Sequence, residues 1–150
     1  MGAFIKGVLV ENADGATYQS KVYDRFLKLH LANGQDVSIF DTFGPLSSSL
    51  SSGERYEMIL EALATSVHYG RSTPLDVKTP TWQGVIIEPR WRAPEDQYRL
   101  SATELYTREW VLVSTSIGAL LMNPKVFHTP ISPQEEVLWD TIRLDLLAVV

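Results

Sequence analysis

The stretch RFLKLHLANGQDVSIF, Arg25 to Phe40, restricts the fold more than any other part of the chain. Apolar and polar residues alternate on both sides of Ala32, Asn33 and Gly34, and a period of two interrupted by turn-forming residues reads as a β-hairpin. Register fixes the loop length. A two-residue Asn33-Gly34 loop sets Leu27, Leu29 and Leu31 on one face with Phe40, Ser38 and Asp36, which mixes apolar and polar side chains. A three-residue loop, Ala32 to Gly34 with Gly34 left-handed in a bulge, sets Leu27 opposite Ile39 and Leu29 opposite Val37. The core face then becomes continuous. The opposite face carries Phe26 across from Phe40, Lys28 across from Ser38 and His30 across from Asp36, so two aromatics with a cation beside them point away from the leucines.

Other segments carry the same kind of signal. Residues 3–10 are an apolar run holding Lys6 and followed by ENADG, and they read as the first strand. Thr81 to Trp91 and Glu109 to Ile117 read as two further strands, joined by a long polar connection over 92–108 with a short helix from Ser101 to Thr107. Near the C-terminus, Ser132 is an N-cap, Pro133 sits at the first helical position and Glu135 completes a capping box. Trp139, Ile142, Leu146 and Val149 then share one face, which predicts an amphipathic α-helix over 132–148 docked on the body of the domain.

One stretch supports two readings. LSSSLSSGERYEMILEALATSVHYG, Leu46 to Gly70, is a helix over 51–67 if Ser51 and Glu54 cap it and Tyr56, Ile59, Leu60, Leu63 and Val67 form a stripe. It is a strand over 54–62 if Tyr56, Met58, Leu60 and Ala62 face inward and Glu57 and Glu61 outward, with Ile59 alone breaking the alternation. The serines are turn and loop residues in either case.

Composition narrows the functions. With 150 residues, 45% hydrophobic and 21% charged, the chain has the make-up of one soluble globular domain over 1–150. A net charge of -5 disfavours polyanions on average without excluding a local basic face. No cysteine is present, which removes disulfides, thiolate metal sites and a cysteine nucleophile, and a cytoplasmic location is the expectation. The most apolar window, EWVLVSTSIGALLM, is broken by Ser114, Thr115 and Ser116 and falls short of the about 20 residues a bilayer demands. No membrane association is expected. His30, His68 and His128 lack metal-ligand spacing, and neither a phosphate loop nor a nucleophile elbow occurs. Nothing therefore points to an enzyme, a metal or a cofactor.

The Gly-containing first strand FIKGVLVEN, the hairpin FLKLHLANGQDVSIFDTFG and the L-x-x-G-x-x-Y phrase at Leu50, Gly53 and Tyr56 together resemble the OB fold, the oligonucleotide- and oligosaccharide-binding barrel. The resemblance covers roughly residues 4–62. It implies a mainly β, OB-like barrel of five or six strands, and it favours the strand reading after Gly53 over a helix between the third and fourth strands. In such barrels bases stack on sheet aromatics while Lys and Arg follow the phosphates. Phe26, Lys28, His30 and Phe40 match that division, as does a second cluster of Arg90, Trp91 and Arg92. The alternatives are a Phe26–Phe40 pair covered by the C-terminal helix, and Arg90 and Arg92 paired to Glu95 and Asp96. The expected function is a non-catalytic module binding single-stranded DNA or RNA. The competing expectation is a protein-interaction or assembly subunit that forms a homo- or hetero-oligomer.

Overall fold

Two strands that run nearly antiparallel for most of their length organise the molecule. In the computed structural model, which describes residues 3–70, 82–128 and 130–150, β6 (Arg55–Tyr69) pairs with β10 (Glu136–Val149) from Met58↔Val149 to Tyr69↔Val137. Thr81, at the start of one predicted strand, lies outside the described residues.

Each end of this ribbon closes into a ring. On one side β1 (Ile5–Asp14), β4 (Arg25–His30) and β5 (Asp36–Asp41) run from the edge of β6 round to the edge of β10. The last joint is a parallel bridge between Asp145 and Phe40. On the other side β9 (Gly118–Met122), β8 (Trp110–Thr115) and β7 (Trp82–Trp91) do the same, entering by a parallel bridge between Glu61 and Leu121 and leaving by the β7–β10 pairing. The result is a mainly β protein with an eight-stranded sheet closed on itself through β1–β6 and β10–β7. A two-stranded ribbon, β2 (Thr17–Tyr18) and β3 (Lys21–Val22), lies between β1 and β4. Among the described residues no helix is long and apolar enough to cross a membrane.

The inner faces of both rings form one continuous core, with Ile5, Leu29, Ile39 and Leu60 in the first ring and Val113, Leu120 and Trp139 in the second. A second, outer core covers the far side of the shared wall. There Ile59, Leu147, Leu121 and Trp110 pack under the connection between β7 and β8, which contributes Leu105 from the one-turn helix α1 (Glu104–Thr107). Backbone bonds hold that connection down, Ala102 N–H to the Leu147 carbonyl at 2.8 Å and Val149 N–H to the Arg99 carbonyl at 3.1 Å.

These two cores settle the two-way stretch. Residues 55–69 are a strand, and Met58, Leu60 and Ala62 enter the inner core as the alternation requires. Ile59, the residue that broke the pattern, enters the outer core. The Ser-rich segment is a connector: a 3-10 turn at Leu46–Ser49 is pinned where the buried Asp41 Oδ2 accepts from Ser47 N–H (2.8 Å) and Ser47 Oγ–H (3.0 Å).

The predicted C-terminal helix over 132–148 is corrected to strand β10. Gln134 has φ of 68°, outside helical space, and its N–H donates to the Ile86 carbonyl at 2.7 Å, which ties the supposed first turn to β7. A capping box contributes about 1 kcal/mol, far less than burying a long strand on both faces. The five- or six-strand count is also corrected. The segment 109–117 read as one strand is the first arm of the β8–β9 hairpin, with Ser116 and Ile117 at its turn, and the short helix expected from Ser101 begins at Glu104.

Candidate binding face

The β4–β5 hairpin has the register expected from its sequence, with Phe26↔Phe40, Lys28↔Ser38 and His30↔Asp36 on one face and Leu27↔Ile39 and Leu29↔Val37 on the other. Leu31 N–H donates to the Gln35 carbonyl at 2.9 Å, closing the three-residue loop in which Gly34 takes φ of 88°. Gly7 of β1 is required by a close approach to the same hairpin, since a Cβ there would lie 2.8 Å from the His30 carbonyl oxygen.

On the outer face the Phe26 and Phe40 rings meet edge to face, 4.7 Å between centroids. Among the described residues no helix covers them, and Phe26 stays 41% exposed. In the helix's place β10 sends Arg143 over the Phe40 ring at 5.8 Å. A groove of about 230 Å³ opens where β5 and β10 diverge, lined among others by Phe40, Trp82, Thr141, Ile142 and Arg143.

The basic residues flanking the ring pair have carboxylates beside them. Lys28 Nζ lies 3.4 Å from Glu11, His30 Nδ1 lies 2.7 Å from Asp36, and Arg143 Nε donates to Asp145 at 2.8 Å. Arg25, on the opposite face of β4 with Leu27 and Leu29, is paired with Asp14 and donates from Nε to Asn12 at 2.9 Å. The face is therefore aromatic and close to neutral.

Arg90, Trp91 and Arg92 belong to the other ring. Trp91 is only 6% exposed and packs edge-on against Phe4 at 5.9 Å, so its faces serve the outer core. Arg90 and Arg92 share Glu109, at 2.9 and 3.2 Å, in place of the expected Glu95 and Asp96. The fold thus brings Phe26, Lys28, His30 and Phe40 together and leaves the second cluster apart. Sequence reasoning missed Trp82, Ile142 and Arg143. The last two were assigned to a helix, and only their pairing as a strand sets them beside Phe40.

Among the described residues three carboxylates are buried: Asp41, Glu61 and Asp145. Glu61 and Asp145 are directly opposite across β6 and β10, under α1. Desolvation pushes the Glu61 carboxyl up to about 7, opposed by Arg108 and reinforced by Glu104 and Asp145, while desolvation also raises Asp145 against the pull of Arg143. Neither carboxylate lines any of the cavities described, so they act in the wall of the fold. Among the described residues no group of three metal-ligating side chains occurs, and His30 bonds Asp36 while His68 and His128 are exposed.

No protein-family model matches this chain, and no curated protein or solved structure does either.

Proposed function

We propose that the chain is a non-catalytic, OB-like binding module that takes a single-stranded nucleic acid on the outer face of β4 and β5. The supporting observation is the Phe26–Phe40 ring pair on the outer sheet face, with Phe26 exposed and Phe40 half-buried beneath Arg143. Topology supports the OB-like part. Taken in chain order, β1, β4, β5, β6 and β10 close in the ring sequence one, two, three, five, four, a Greek-key exchange of the last two strands. Strands β7 to β9 are then an insertion between the fourth and fifth strands. A base stacked on such an aromatic contributes about 1–3 kcal/mol, and stacking carries the affinity here because the neighbouring cations are already paired. Lys28 would exchange its carboxylate partner for a phosphate at small cost, since surface ion pairs are worth about 0–1 kcal/mol, while Arg143 stays with the buried Asp145.

The test is fluorescence anisotropy of labelled oligo-dT and oligo-U against the protein at low and moderate salt. Saturable binding that Phe40→Ala or Phe26→Ala weakens supports the reading, with a shallow salt dependence as the mark of stacking over charge. Absence of binding at low salt overturns it.

A specific observation favours a second reading. The pairing of Lys28, His30 and Arg143 with carboxylates, in a chain of net charge -5, suits a protein partner that buries aromatics and Ile142, itself 66% exposed. Concentration-dependent association in sedimentation, lost on Ile142→Asp, is the outcome that selects it.

A further inference from the structure

The cluster of Arg90, Trp91 and Arg92 takes no part in the face beside Phe40, and its surroundings define a site of another kind. A groove of about 390 Å³ runs there between Pro89, Arg90, Glu109, Pro124, Pro130 and Ile131. That volume suits a small organic molecule, whose sites span about 300–1,000 Å³. It lies at the far end of the β7–β8 pair, whose register runs from Val85↔Ser114, beside the hairpin tip at Gln35, to Trp91↔Trp110, next to the groove. No residue is shared with the groove beside Phe40.

Its walls are apolar and rigid. Three of the lining residues are prolines, which have a fixed φ and no backbone N–H, and Ile131 adds a branched hydrocarbon side chain. Pro130 is held by the Tyr69 hydroxyl, which donates to its carbonyl at 3.1 Å. Pro124 opens a 3-10 turn, Pro124–Val126, in which Asn123 Oδ1 accepts from the Lys125 N–H at 3.0 Å. Walls fixed in this way spare a ligand the cost of ordering them.

The charged side is equally ordered. Trp91 turns into the outer core, so Arg90 and Arg92 on either side of it leave the opposite way and converge on Glu109. Arg90 donates to it from Nε and Nη2 at 2.9 and 3.3 Å, and Arg92 from the same two nitrogens at 3.3 and 3.2 Å. One carboxylate thus orients two guanidiniums that are 80% and 68% exposed. The hydrogen bond from Arg90 holds the Glu109 carboxyl below the usual carboxylate range, and the ionised trio carries a net charge of +1. Among the described residues neither Nη1 group has a partner, so each arginine keeps N–H donors for an incoming anion. A monoanion neutralises the trio, whereas a dianion leaves surplus negative charge beside Glu109. Glu88 and Lys125, next in sequence to lining prolines, are of opposite sign and leave that balance in place. Guanidinium N–H groups pair two by two with carboxylate oxygens. We infer that the groove binds an amphipathic monocarboxylate, an aliphatic or aromatic acid whose apolar body lies on the prolines and Ile131 and whose carboxylate bridges Arg90 and Arg92.

The experiment titrates the full chain with octanoate and phenylbutyrate by calorimetry at low salt, with octanamide as the neutral comparison and octyl phosphate as the dianion. Saturable binding of at least one of the two acids, tighter than that of octanamide, is expected. Arg90→Ala and Arg92→Ala are each expected to weaken it about tenfold or more while the far-UV spectrum and cooperative unfolding persist, since both side chains are exposed. Phe40→Ala is expected to leave it unchanged, which separates this result from nucleic-acid binding. Glu109→Gln leaves two guanidinium charges without their carboxylate and is expected to turn the preference toward octyl phosphate. No saturation by either acid up to about 5 mM overturns the inference. So does equal binding of octanamide, binding that survives both arginine substitutions, or a preference that Glu109→Gln does not move.

Discussion

The β4–β5 hairpin and strand β10 are both β-structure, yet only the first announces itself. The hairpin has a core on one side and solvent on the other, so its side chains alternate strictly and its register follows from its sequence. Residues 144–149 of β10 are buried without interruption, because Leu144 and Leu146 face the inner core while Leu147 and Ala148 face the outer one. A strand between two cores loses the period of two. Its apolar residues then fit any template, and a capping box at Ser132 was enough to make the helical one look better.

Alanine substitutions along the two elements break or sharpen this contrast most strongly. Leu146→Ala and Leu147→Ala, although adjacent, are each expected to cost about 2–5 kcal/mol in denaturant unfolding, as is Leu29→Ala in the hairpin. Ser38→Ala, on the hairpin's outer face, is expected to stay within about 0.5 kcal/mol. A small cost at Leu147 would mean that the connection over 92–109 does not form an outer core.

The second expectation concerns the carboxylate in the same wall. Glu61 holds its proton up to about 7 in the folded chain against an ordinary value of 4.5. The folded state therefore binds the proton more tightly than the unfolded one. The resulting stability is full below about 4.5 and is lost as pH rises through about 7. Glu61→Gln is expected to flatten the fall in Tm across that interval. An unchanged profile would show that Glu61 ionises freely. Arg108, Glu104, Asp145 and Arg143 surround it, and Arg108→Ala is expected to steepen the fall by removing the cation that favours the ionised form.

Effects on the hairpin's outer face are smaller for folding and larger for binding. Phe26→Ala removes one of two ring partners and is expected to cost about 0.5–1.5 kcal/mol of stability. Its loss in oligo-dT affinity is expected to be about tenfold, the scale of one stacked base. The Lys28–Glu11 pair is the smallest test, with about 0–1 kcal/mol expected from a double-mutant cycle.

Much of the candidate face was legible from residues alone because it is local. Phe26 and Phe40 meet through a hairpin whose turn, register and alternation lie within one short stretch. Trp82, Ile142 and Arg143 were not legible, since their place beside Phe40 depends on β10 pairing with β5, β6 and β7, all distant in sequence. The surroundings of Arg90 to Arg92 were not legible for a related reason. The three were read as one cluster, and only the tertiary structure shows that a second core lies on Trp91's side.

By itself, then, the sequence determined the hairpin, its register and the strand character of most apolar runs, because one-sided burial writes a period of two into the chain. Only the tertiary structure decided that β6 and β10 form a wall between two cores. It also decided that the three strands between β6 and β10 close a second ring. Such burial on both faces comes from long-range pairing, and it leaves no periodic trace for local rules to read.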